Sequence, residues 1–117
     1  MYTRAVAKVT RRGSVKLQSE KQTERHLCRM VKALGGECYK WVSPGCSGVP
    51  DRITILPGGK IFFVELKSEG EESTVLQKKR QRELRALGCT VYADIDTKEK
   101  VDEVLRIETA RKGSDAT

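Results

Sequence analysis

Asp51, Glu65 and Lys67 have the residue types and spacing that could hold a cation and act on a phosphate. Glu65 and Lys67 close the apolar run Lys60-Ile61-Phe62-Phe63-Val64-Glu65-Leu66-Lys67. Two positions apart in a strand, their side chains leave the same face. Asp51 opens a second apolar run, Arg52-Ile53-Thr54-Ile55-Leu56, and Pro57-Gly58-Gly59 separates the two. The β-branched and aromatic content predicts two strands, and the Pro-Gly-Gly a tight turn between them. Once that hairpin closes, Asp51 and Glu65 are brought to roughly one inter-strand spacing, about 5 Å. Two carboxylates so placed repel each other unless a proton or a divalent cation lies between them. Oxygen ligands favour a hard ion, magnesium or manganese, over zinc. A lysine beside them can orient an attacking water or stabilise charge on a phosphoryl oxygen. The same residues also admit a plainer reading, a surface hairpin ending in solvated charges.

The flanking elements must carry the rest. Ser19-x-x-Gln22 is a capping-box start and Gly35-Gly36 a stop, which predicts a helix over Glu20 to Leu34 with an apolar stripe of Leu27, Met30, Val31 and Leu34. Glu20 and Glu24 fall on or beside that stripe, where a carboxylate is costly unless paired or bound to a cation. His26 lies off the stripe and reads as an exposed surface residue. Glu37 to Val42 reads as a strand, with Trp41 a core residue and Lys40 within reach of a phosphate. The loop from Ser43 to Gly48, rich in small residues, can approach a nucleic-acid backbone. Thr74 to Leu87 is predicted helical with Leu76, Leu84 and Leu87 inward and Gln77 in its first turn. Cys89 to Asp94 is a strand, and Asp96-x-x-Glu99 starts a last helix to about Ile107 with Val101, Val104 and Leu105 inward. The pattern is α/β: an αβββαβ succession with helices covering a small mixed sheet.

The string Ser43-Pro44-Gly45, Gly48-Val49-Pro50-Asp51-Arg52, Phe63-Val64-Glu65-Leu66-Lys67, then Leu76-Gln77 resembles the virus-type replication-repair nuclease (VRR-NUC) family of the PD-(D/E)xK superfamily, in its small stand-alone phage form. The resemblance spans roughly residues 19 to 107. It implies a restriction-endonuclease-like fold and hydrolysis of DNA phosphodiester bonds with Mg²⁺ or Mn²⁺. On that resemblance Asp51, Glu65 and the Leu66 carbonyl bind metal, and a first-helix glutamate, Glu24 or Glu20, completes the shell. Lys67 then acts on the water or the phosphate, and Gln77 joins the active-site set. One ion or two is left open. The stand-alone members look like Holliday-junction resolvases, which implies branched DNA as substrate and a homodimer.

Composition agrees with one domain: 117 residues, 38% apolar and 33% charged. Of the net charge of +7, residues 1 to 18 supply +5 through Arg4, Lys8, Arg11, Arg12 and Lys16. This predicts a basic arm over 1–18, a nuclease domain over 19–108 and a flexible tail over 109–117. Lys40, Arg52, Lys78, Lys79, Arg11 and Arg12 are the candidate nucleic-acid contacts. Cys28, Cys38, Cys46 and Cys89 show no zinc-ligand spacing and are expected reduced. No run is apolar enough for a membrane span or a signal core, so a cytoplasmic protein without a small-molecule cofactor is expected, in the host cytoplasm if phage-encoded. The rival functions are a non-catalytic nucleic-acid-binding module, a restriction-type endonuclease cutting fixed sequences, and a protein whose basic arm binds an acidic partner.

Overall fold

The computed structural model describes residues 17–111. Arg11, Arg12 and the rest of the basic arm up to residue 16, like residues 112–117 of the tail, lie outside this range. The elements are α1 (Glu20–Ala33), β1 (Glu37–Lys40), β2 (Arg52–Leu56), β3 (Lys60–Leu66), α2 (Val75–Ala86), β4 (Val91–Ile95) and α3 (Lys98–Ala110). The strands form one sheet in the order β1-β2-β3-β4. The first three are antiparallel, and β4 joins β3 in parallel. This is the mixed α/β sheet flanked by helices that the pattern predicts.

Alternation along β3 decides where the core lies. Phe62, Val64 and Leu66 point to one face and are fully buried, together with Leu56 of β2 and Ile95 of β4. Leu27 and Val31 of α1 and Val101, Val104 and Leu105 of α3 close over them. The opposite face carries Phe63, whose ring stacks at 5.2 Å on Trp41, and then Glu65. The apolar wall therefore ends where the charged residues begin.

Local capping boxes start two helices. Ser19 and Gln22 exchange both capping-box hydrogen bonds at α1, and Thr74 and Gln77 do the same at α2. At α3 the expectation needs correction. Thr97 is the N-cap, its hydroxyl accepting from Lys100 N–H, because Asp96 is drawn inward to accept from Gly70 N–H. The same helix runs on to Ala110, past the expected end near Ile107, with the Thr109 hydroxyl donating to the Leu105 carbonyl. Strand β1 stops at Lys40 instead of Val42. Gln18, the last residue assigned to the arm, is bound into the fold: its carbonyl accepts from Glu69 N–H and its side-chain oxygen from Lys98 N–H.

Two expectations about side-chain burial fail. In α2 the fully buried residue is Gln81, whereas Leu87 is 81% and Leu76 39% exposed. This helix meets the sheet through polar contacts, Arg85 donating to the Val91 carbonyl at the start of β4 and Gln81 to Ser73, so the leucines flank the contact. His26 is mostly covered, its ring bonded to Asp102 of α3 at 2.7 Å. Among the described residues no helix is long and apolar enough to cross a membrane.

Candidate active site

The hairpin register Arg52↔Val64 places Asp51 one step further on, across from Glu65. The Asp51 carboxylate accepts the Leu66 backbone N–H at 2.7 Å, which locks it against the end of β3. Glu65 is 1% exposed. Its Oε2 accepts from Gln77 Nε2 at 3.1 Å and lies 3.8 Å from Lys67 Nζ. Gln77 bridges the two, because its Oε1 accepts from Lys67 Nζ at 2.7 Å while also accepting the Thr74 N–H that caps α2. Thus β2, β3 and the first turn of α2 bring Asp51, Glu65, Lys67 and Gln77 into one constellation.

Glu65 Oε1 is buried without a hydrogen-bond partner. Burial, with the Asp51 carboxylate next to it, pushes the Glu65 carboxyl up to about 8, against the weaker pull of Lys67. A protonated Glu65 can bridge to Asp51; an ionised one faces it with nothing between. The donor set is two carboxylates at a desolvated sheet end, which suits a hard cation. Among the described residues no three His, Cys, Asp or Glu side chains lie close enough together to hold a metal ion. Magnesium does not require three, since it is commonly bound through one or two carboxylates with water and substrate phosphates filling its shell.

The two glutamates of α1 part company. Glu24 receives Arg52 through both Nε and Nη2 at 2.9 Å, and Arg52 Nη1 also donates to the Cys38 carbonyl. Glu20 titrates above the usual carboxylate range, chiefly through partial burial and then through repulsion from Asp51, with Lys67 opposing. Glu20 therefore senses the centre electrostatically, whereas Glu24 and Arg52 are committed to each other. Lys40 is exposed at the end of β1, opposite Arg52 in register. Lys78 is exposed beside Glu72 at 3.4 Å, and Lys79 is exposed one residue on.

The loop between β1 and β2 rests on α2. Gly48 has φ +88°, and a Cβ there would stand 2.9 Å from Leu76 Cγ, so close packing and backbone both call for glycine. Arg80 donates to the Ser47 carbonyl at 2.8 Å and ties the loop down. In the sequence Arg80 reads only as one of the basic residues of this helix, suited to phosphate contacts, and nothing there singles out Ser73, Gln81 and Asp94, which form a polar network behind Gln77. Their only trace in the sequence is a Ser before a helix start and two aspartates at a strand end.

No family model matches the sequence. The chain is 49% identical over 77 residues to a protein of Acyrthosiphon pisum secondary endosymbiont phage 1 named "Putative nuclease p44", covering 66% of this chain and 83% of that protein. It also superposes on a solved VRR_NUC domain with a TM-score of 0.70 at 30% identity, covering 76% of this chain and 96% of that one.

Proposed function

This chain belongs to the VRR-NUC family of nucleases, and from that membership we propose that it is a Mg²⁺- or Mn²⁺-dependent endonuclease that hydrolyses phosphodiester bonds in branched DNA. The observation that carries the metal dependence is the orphaned, buried Glu65 Oε1 facing Asp51. Asp51, Glu65 and the Leu66 carbonyl would hold the ion, with Glu20, the glutamate left free by Arg52, at the edge of its shell. When bound, the ion supplies Lewis-acid polarisation of the phosphate and lowers the pKa of water it holds.

The protein's own groups do the rest. Lys67, held at 2.7 Å by Gln77, directs its ammonium at charge developing on the phosphoryl oxygens. Gln77 keeps that ammonium from collapsing onto Glu65, because its amide stands between them and bonds both. Lys40, Lys78, Lys79 and the basic arm, Arg11 and Arg12 included, would contact flanking phosphates, and binding should weaken with salt. Arg52 is better suited to holding Glu24 than to contacting DNA. A homodimer would place two such sites on the two strands of a junction. Val75 and Leu87, 85% and 81% exposed at the ends of α2, are apolar surface that a second copy could cover.

The deciding experiment compares cleavage of labelled four-way junction, flap and linear duplex DNA with Mg²⁺, Mn²⁺ or EDTA. Wild type is expected to cut the branched substrates only with metal, and Asp51→Asn and Lys67→Ala to cut none. Binding without cutting under every metal condition would overturn the enzyme reading. Cutting of linear duplex at fixed sequences would replace branch selectivity with restriction-type recognition.

A further inference from the structure

The connection between β3 and α2 must set Lys67 and Gln77 at bonding distance, yet its residues 67–74 contribute nothing to the apolar core. It is held by the end of β4. Pairing of β3 with β4 slips between Val64↔Tyr92 and Leu66↔Ile95, so that β4 spends one residue more than β3 over that step. The residue of β3 within the slip is Glu65. On β4 the slip contains Asp94, with φ +57°, the one non-glycine residue with positive φ among those described. Such a conformation is strained for a side-chain-bearing residue and persists only where its surroundings enforce it.

That conformation turns the Asp94 carboxylate onto Ser73. Asp94 Oδ1 accepts from Ser73 N–H at 2.6 Å and from Ser73 Oγ at 2.7 Å. Ser73 Oγ in turn accepts from Gln81 Nε2 at 2.9 Å. Ser73 and Gln81 are 6% and 4% exposed. Ser73 immediately precedes the Thr74 N-cap, and Gln81 lies one turn beyond Gln77, so the network grips α2 on both sides of Gln77. A β-bulge beside a functional carboxylate is a recurrent means of re-aiming side chains.

We propose that Asp94, Ser73 and Gln81 are positioning residues which, by fixing the first turn of α2 to the β4 bulge, set Gln77 against Lys67 and Glu65. This rests on the reading of Gln77 as part of the active site. The groups that support reacting side chains typically change activity 10- to 100-fold when altered.

The test uses the full chain with Asp94→Gly, Ser73→Ala, Asp94→Asn and Gln77→Ala. Asp94→Gly removes the acceptor while relieving the backbone. Asp94→Asn keeps an acceptor oxygen and tolerates the left-handed region. The readouts are kcat and KM on the four-way junction with Mg²⁺, and the side-chain amide resonances of Gln77 in ¹H–¹⁵N spectra. Asp94→Gly and Ser73→Ala should lower kcat about tenfold with KM unchanged and shift the Gln77 amide signals, whereas Asp94→Asn, which keeps the acceptor oxygen, should retain wild-type kcat and Gln77 signals. Combined with Gln77→Ala, Asp94→Gly should add no further loss. Unmoved Gln77 signals in Asp94→Gly, or a full additional loss on the Gln77→Ala background, would overturn the proposal. Shifted Gln77 signals alongside wild-type cleavage by Gln77→Ala would uphold the coupling and instead remove Gln77 from the active site.

Discussion

Two glutamates lie at the same depth, Glu65 at the end of β3 and Glu108 on α3, each 1% exposed. Glu108 is complete. Arg111 donates to both of its oxygens, and Tyr92, its phenol pushed up to about 12 by burial and by this bond, donates to one of them. Glu65 is incomplete, with one oxygen on Gln77, the other orphaned, and a second carboxylate beside it. Burial of a carboxylate is therefore no mark of a site in itself. What distinguishes Glu65 is that the fold desolvates it, leaves one oxygen without a partner and sets a second carboxylate beside it, with the Lys67 ammonium no nearer than 3.8 Å.

The largest expected effect separates the two on chemistry. Glu65→Gln should abolish cleavage, by about a thousandfold or more, while leaving the fold at least as stable, because an amide can bond where the ionised carboxylate cannot. Equal cleavage by Glu65→Gln and wild type would erase the contrast. Glu108→Gln should do the reverse. It weakens charge-assisted bonds to Arg111 and should lower unfolding stability by about 2 kcal/mol, read by urea denaturation, with kcat unchanged.

A smaller effect lies in pH. Glu65 titrates near 8 in the fold against an ordinary value of 4.5. Between those values the folded chain keeps a proton that the unfolded chain has lost, so Glu65 should make stability fall as pH rises through this window. Urea midpoints at pH 5 and pH 8 should show the decline in wild type and a weaker one in Glu65→Gln. Mg²⁺ or Mn²⁺ should raise the midpoint at pH 8 and hardly at all at pH 5, since only the ionised pair attracts the ion. A metal effect that is equal at both pH values would place the ion elsewhere.

The smallest effect concerns the helix glutamates. Glu24→Gln breaks a partly exposed ion pair with Arg52 and should cost about 1 kcal/mol or less with little change in kcat. Glu20→Gln should instead lower cleavage by about tenfold at limiting Mg²⁺ without measurable change in the urea midpoint. The opposite pattern in a metal titration would return Glu24 to the site.

Much of this was legible along the chain because its causes are local. Strand content around Pro57-Gly58-Gly59 is enough to fold Asp51 back onto Glu65, and period-two alternation is enough to put Glu65 and Lys67 on one face. The capping box at Ser19 marked a helix start through contacts that span three residues, whereas the one between Thr74 and Gln77 emerged with the structure. Leu76 and Leu87 misled because periodicity reports which side of a helix is apolar and not whether anything covers it. Glu20 and Glu24 sit one turn apart on the same stripe, and their difference arises from Arg52, 28 positions from Glu24 and visible as a partner only once β2 packs on α1. The bulge that gives Asp94 its positive φ depends on how β4 registers against β3, and Glu108 became a buried ion only when Tyr92 and Arg111 closed on it. Spacing along one element could thus name the candidate groups. Their balance of charge and their fixed distances came from elements remote in sequence, because desolvation and hydrogen bonding are set by whatever packs alongside.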